Sequence, residues 1–224
     1  MTRLGPLAFL LLVATVLLLA WGAATAGASP AHRDAVLAST DEWIAEVLRV
    51  PIPDRADLPG GDGELGSGAA EVPCEYPREA HYDPALLDSM ADRRALFFAD
   101  AWMVALHEHE HMLGGPCVYS TTSPRPDHLD PVWLYFEEGF TDAVRCDLAG
   151  AFFMRMFGLR VETPQPMADY RGNVATVRAL SRLATGSRSW RHRDARLWRR
   201  AALLASWPAR QAMIAEANAR RAGA

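Results

Sequence analysis

The chain has no lysine; all 23 of its basic residues are arginine. Such a bias reflects the codon usage of a G+C-rich genome and identifies no ligand. The formal net charge is only -4, so neither its sign nor its size suits a nucleic-acid partner. Cysteine is scarce. Cys74, Cys117 and Cys146 permit at most one internal disulfide, with three pairings open. Cys74 and Cys117 both lie in loops bearing proline or glycine and form the expected pair, which leaves Cys146 buried. Internal repeats are missing, as are a P-loop, a dinucleotide fingerprint and a G-x-S-x-G elbow, which removes the nucleotide-binding and serine-hydrolase readings those devices carry.

Only one hydrophobic run is long. After Arg3, an uncharged stretch from Leu4 to about Ala26 is rich in leucine, valine and alanine, and A-x-A triplets end at Ala26 and at Ala28. Residues 1–28 are expected to form a cleaved export signal or an uncleaved N-terminal anchor, the latter associating the chain with a membrane. In both cases residues 29–224 are expected outside the cytoplasm, as a single domain with enough apolar content for a core.

His107, Glu108, His109, Glu110 and His111 spell H-E-x-x-H. On a helix turning about 100° per residue, positions four apart lie within about 40° of each other, so His107 and His111 leave one face and can share a metal. Zinc takes imidazole nitrogen readily, and three protein ligands with an open fourth position let it acidify water and polarise a carbonyl. Glu108 sits beside that face as the candidate general base. His109, about 200° from His107, reads as a surface or packing histidine. Glu110 reads as support for a ligand or as a solvated or salt-bridged carboxylate. The helix is expected to enter through Asp83 and Pro84, to carry Leu86, Leu87, Met90, Phe97, Phe98, Trp102 and Leu106, and to stop at Gly114, Gly115 and Pro116.

A second segment supplies acids inside an apolar helix. Asp130 and Pro131 read as cap and first turn, followed by Val132, Trp133, Leu134, Tyr135, Phe136, Glu137, Glu138, Gly139, Phe140, Thr141 and Asp142. Glu138 and Asp142 are four apart and share a face, which makes Glu138 the third candidate ligand. Glu137, about 100° away, reads as peripheral and paired with Thr141. Asp142 is expected to accept the free N–H of a ligand histidine, His107 first, and Gly139 to let the two helices approach closely.

These segments resemble the gluzincin clan of zinc peptidases, which includes thermolysin-like enzymes and the aminopeptidase N type. H-E-H-E-H at 107 to 111 carries one half of the likeness. W-L-Y-F-E-E-G-F-T-D at 133 to 142 is similar to the W-L-x-E-G-F glutamate-helix segment of the aminopeptidase N type, and the whole likeness spans roughly a quarter of the chain. The resemblance implies Zn2+ held by His107, His111 and Glu138, with Glu108 as catalytic base and Asp142 as the aspartate behind a ligand. Neither a G-x-M-E-N-like motif nor a tyrosine or histidine for the oxyanion is identified, so exopeptidase character is not carried over.

Two other metal readings start from the same residues. Cys117 would be the last ligand if H-E-x-x-H-x-x-G-x-x-H were the pattern, with a cysteine replacing its third histidine. Glu108 and His111 also spell Glu-x-x-His, but a di-iron bundle needs a second such pair, which the chain lacks.

The expected fold is a mainly α, compact zincin-like domain with little or no β-sheet. A first helix is expected over Asp34–Val50 with Thr40 and Asp41 as an internal cap, then a long structureless Pro/Gly-rich loop over 51–82. The segment from Cys117 to Ser123 reads as loop or as a lone strand, the glutamate helix continues to about Gly158, and another helix covers Ala168 to Ala184. From Trp190 onward, arginines alternate with Trp190, Leu197, Trp198, Leu203, Leu204 and Trp207. This reads as a helix packed through its tryptophans with a solvated arginine face, the alternative being a basic helix on anionic lipid or acidic substrate. Pro208 restarts the chain. The function these features predict is metal-assisted hydrolysis of a peptide or protein substrate. The alternative is a non-catalytic, zinc-stabilised envelope protein that binds a partner.

Overall fold

The computed structural model describes residues 30–50, 70–71, 80–113, 117–119, 121, 128–162 and 164–222. The chain is mainly α, as its periodicity predicts. The helices are α1 (Pro30–Leu48), α2 (Pro84–Ala91), α3 (Phe98–Leu113), α4 (Pro131–Phe157), α5 (Arg171–Thr185), α6 (Arg193–Leu204) and α7 (Trp207–Ala222), with a 3-10 turn at Ala168–Tyr170 leading into α5. Among the described residues, sheet structure is confined to an antiparallel pair inside the stretch expected to be structureless, β1 (Ala70–Glu71) and β2 (His81–Tyr82), and to a single bridge between Tyr119 and Leu129. The export segment and, within the 51–82 loop, residues 51–69 and 72–79 lie outside the described residues. Among the described residues no helix is long and apolar enough to cross a membrane.

Helix α4 begins and ends where its terminal residues dictate. The Asp130 carboxylate accepts from the N–H groups of Val132 and Trp133, both at 2.8 Å, satisfying donors that the first turn leaves without partners. Gly158 closes the helix at φ 66°, donating its N–H to the Met154 carbonyl, a left-handed cap that a side chain would disfavour. The helix expected from Asp83 to Gly114 is instead two. Asp92 ends α2 in extended backbone and its carboxylate accepts from the Arg94 N–H at 2.9 Å, a local bond that competes with helix continuation. The apolar residues on both sides of the break hide it from a periodicity argument.

α3 and α4 pack antiparallel. Phe98 and Trp102, early in α3, meet Phe157 and Phe152, late in α4, with Trp102 5.0 Å from Phe157 and Phe98 5.2 Å from Phe157 between ring centroids. Trp102 is fully buried and its indole N–H donates to the Met90 carbonyl at 3.2 Å, tying in α2. This aromatic anchor brings the C-terminal half of α3, with its histidines, against the N-terminal half of α4, with its acids.

The other elements surround that pair. α1 is continuous, because Thr40 bonds back to the Val36 carbonyl at 2.7 Å instead of capping a new start. In α6 the arginine face is not wholly solvated: Arg199 is fully buried, bonded to Asp147 of α4, to Ser181 and to the Trp190 carbonyl. Gly139 permits a close helix approach, but to α5 rather than to α3: an added Cβ would stand 3.0 Å from Val177 Cγ2 and 3.1 Å from the Asn173 backbone carbon. Gly150, on the same helix, has nothing within 4 Å of that position.

The two glycines therefore predict opposite outcomes. Gly139→Ala should destabilise by about 1–3 kcal/mol through overpacking, whereas Gly150→Ala should stabilise by about 0.5–1 kcal/mol through lost unfolded-state freedom. Urea titrations of the two variants decide it, and equal shifts of one sign would show that α5 does not pack on α4 at this distance.

Candidate metal centre

The antiparallel contact places three donor atoms together. His107 Nε2 lies 3.0 Å from Glu138 Oε2 and 3.0 Å from His111 Nε2, and the last two are 3.3 Å apart. The imidazoles stand nearly edge to face, 83° between planes. Donors about 2.0–2.2 Å from a tetrahedral zinc are about 3.3–3.6 Å apart, so an ion fits this triangle after shifts of a few tenths of an ångström. Two imidazoles and one carboxylate are also a donor set that zinc takes. His107 is buried; His111 and Glu138 keep 12% and 16% of their side chains exposed, which puts the opening on their side.

Behind each histidine stands a carboxylate, and behind each carboxylate an arginine. Asp142 is fully buried with Oδ1 3.7 Å from His107 Nδ1, the partner expected for it, though longer than a hydrogen bond. Arg145 Nε approaches the same oxygen at 2.6 Å. His111 Nδ1 is 3.4 Å from Glu137 Oε1 and 3.4 Å from Thr141 Oγ1. Glu137 is thus not peripheral. It is 2% exposed, and its other oxygen accepts from Arg210 of α7 at 2.5 Å. The 100° offset from Glu138 is real, but an imidazole has donor positions at both ends, and His111 reaches across the interface with one end toward each glutamate.

The remaining residues of the motif separate clearly. His109 is a packing histidine, buried with Nδ1 2.5 Å from Asp41 Oδ1 of α1 and stacked on Tyr82. Glu110 is wholly buried, and neither carboxylate oxygen has a hydrogen-bond partner. Burial drives its pKa well above the carboxylate range, against the pull of Arg145. Glu108, next to His107 on α3, is 8% exposed, and its charge is one of the influences that raise the pKa of both His111 and Tyr170.

Tyr170 is the residue that motif reading misses. Its ring stacks on His107, 5.4 Å between centroids and 8° between planes. Burial, the charges of Glu138 and Glu108 and a hydrogen bond to Glu138 all push the phenol pKa upward. No spacing from the histidines flags it, because a separate segment delivers it to the site.

Sulfur ligation finds no support. Cys117 is disulfide-bonded, so it offers no thiolate as a third ligand. Cys146 is a free, buried thiol whose pKa burial pushes up to about 11. Cys74, the expected partner of Cys117, lies outside the described residues.

No protein-family model, curated protein or solved structure matches this chain. The reading of the site rests on its own chemistry.

That chemistry has a pH signature. Burial lowers the His111 pKa, but the Glu138 charge and the bonds to Glu137 and Glu138 outweigh it and hold the imidazole well above its usual value. A folded-state pKa above the unfolded value gives stability that is complete below about pH 6.5 and lost as pH rises through the raised value. Metal ligation needs the neutral ring and strengthens over the same window. In paired melts with zinc and with chelator, the gap between midpoints should widen from about pH 6.5 upward. A gap that narrows there would remove His111 from the ligand set.

The carboxylates give a second expectation. Glu137→Gln and Asp142→Asn should each weaken zinc affinity by about 10–100-fold, with Glu138→Ala losing the metal altogether. Chelator competition measures all three, and an unaffected Glu137→Gln would return Glu137 to the periphery.

Proposed function

We propose that this chain is a gluzincin-like zinc peptidase, exported from the cytoplasm, that hydrolyses amide bonds of peptide or protein substrates with activated water. One observation carries the reading: the His107, His111 and Glu138 donors converge within 3.0–3.3 Å, with the Tyr170 ring stacked on His107. Electrostatics supports a divalent ion there. Arg210 offsets Glu137 and Arg145 offsets Asp142, so of the carboxylates around the triangle Glu138, a donor itself, has no arginine partner, and a 2+ ion would answer its charge.

His107, His111 and Glu138 would hold zinc, which when bound would supply an acidified water and a polarised carbonyl. Glu108 accepts the proton of the attacking water and returns it to the leaving amine nitrogen. Tyr170, held protonated by its surroundings, donates a hydrogen bond to the carbonyl oxygen as negative charge gathers on it. Asp142 and Glu137 hold the two imidazoles in the orientation that presents Nε2 to the ion. The disulfide at Cys117 and the apolar run from Leu4 to about Ala26 support an oxidising location outside the cytoplasm.

The test is a peptide-library digest by zinc-loaded protein. Glu108→Gln should retain zinc and lose about 10²–10⁴-fold in turnover, and Tyr170→Phe should lose about 10²–10³-fold in kcat, also with zinc in place. A wild-type protein that binds zinc and cleaves nothing, or a Glu108→Gln variant as active as wild type, would leave the non-catalytic, partner-binding alternative.

A further inference from the structure

Arg145 belongs to no motif, yet it lies where two halves of the site join. Its side chain is 3% exposed. Nε sits 2.6 Å from Asp142 Oδ1, and Nη2 donates to the Gln165 carbonyl at 2.9 Å. Asp142 also reaches that segment, its Oδ2 accepting from the Met167 N–H at 3.1 Å. Residues 164–167 have no helix or strand of their own. Pro164 and Pro166 flank Gln165, limiting backbone freedom and removing two N–H donors. From Met167 the chain turns directly into Ala168–Tyr170, the Tyr170 N–H bonding to the Met167 carbonyl at 3.0 Å. The segment is a strap carrying Tyr170 over the ring of His107.

A plain core ion pair is the simpler account of Arg145 and Asp142. Such a pair, however, is often replaceable by apolar side chains at no loss of stability. Here, beside a 3.6 Å contact of Arg145 with Cys146 Sγ on α4, Arg145 donates to Gln165 and Asp142 accepts from Met167, both in the strap, while Asp142 Oδ1 stands 3.7 Å from the ring nitrogen of a candidate ligand. The planar guanidinium is suited to the task, since its fork reaches two acceptors in fixed directions where an ammonium is a single point charge.

We infer that Arg145 is a positioning residue that sets His107 through Asp142 and seats the Tyr170 strap through the Gln165 carbonyl, aligning ligand and oxyanion donor with one side chain. The inference rests on the proposed reading of the site, and its test separates the two.

Full-length protein is compared as wild type, Arg145→Met, Arg145→Lys, Tyr170→Phe, Asp142→Asn and the doubles of Arg145→Met with each of the last two. With zinc bound, Arg145→Met should lower kcat by about 10²-fold with KM unchanged, and adding it to Tyr170→Phe should cost nothing further, because the tyrosine it seats is already disarmed. Zinc affinity, read by chelator competition, should fall about tenfold in Arg145→Met and no further in its double with Asp142→Asn than in Asp142→Asn alone. Arg145→Lys, which preserves the buried charge, should keep most zinc affinity and still lose kcat. Ring resonances of Tyr170, displaced by stacking on His107, should move toward free-tyrosine positions in both Arg145 variants. Fold-changes that multiply in both doubles, with the Tyr170 resonances unmoved, would show Arg145 to be a core ion pair only. The affinity and resonance measurements need no turnover, so a protein that hydrolyses nothing defeats the peptidase reading while the role of Arg145 is still decided.

Discussion

Charge buried along α3 and α4 is the constraint on which the rest of the structure depends. An unpaired ionised side chain in an apolar interior costs several kcal/mol, and these two helices carry His107, His109, Glu110, Glu137, Asp142 and Asp147 at low side-chain exposure. Most of the ionised groups are answered by a partner, and the partners come from different elements. Asp41 of α1 takes His109, Arg199 of α6 takes Asp147, Arg210 of α7 takes Glu137, and Arg145 with the strap takes Asp142. Aromatic burial brings the helices together, while these pairs specify how they are registered around the central two. Glu110 is the exception: it has no hydrogen-bond partner, and its burial raises its pKa well above the usual value, favouring the uncharged form.

The histidine and glutamate spacing was legible because it is local. A period of 3.6 residues puts His107 with His111 and Glu138 with Asp142, and the caps at Asp130 and Gly158 could be read from single residues. What escaped is set by tertiary contact. Arg210 stands 73 residues from Glu137 in the chain, and Tyr170 arrives on a strap whose sequence, Pro-Gln-Pro-Met, carries no periodic signal. Glu137 was misplaced for a different reason: a helical wheel assigns one direction to each side chain, whereas an imidazole offers two nitrogens on opposite edges. The burial of two adjacent acids in an apolar helix was the available clue that both needed partners. The break at Asp92 was hidden because apolar residues continue on either side of it.

The metal-binding reading and the fold explain one another. Two of the three donors lie on one helix and the third on its antiparallel neighbour, so the site exists only when α3 and α4 are docked, and ligation should in turn favour the docked state. On the proposed reading, Asp142 and Glu137 would extend that linkage outward to the strap and to α7. Replacement of a residue far from the opening, such as Arg210, would be felt at His111 through a single intervening side chain.

The central claim is that nitrogen and oxygen, and no sulfur, hold one zinc at His107, His111 and Glu138 with a position left for water. X-ray absorption at the zinc edge on stoichiometrically loaded full-length protein tests it most directly. The account predicts a shell of nitrogen and oxygen donors at about 2.0–2.2 Å, with the outer scattering of two imidazole rings. A sulfur neighbour at about 2.3 Å, or the outer scattering of a single imidazole, would contradict it.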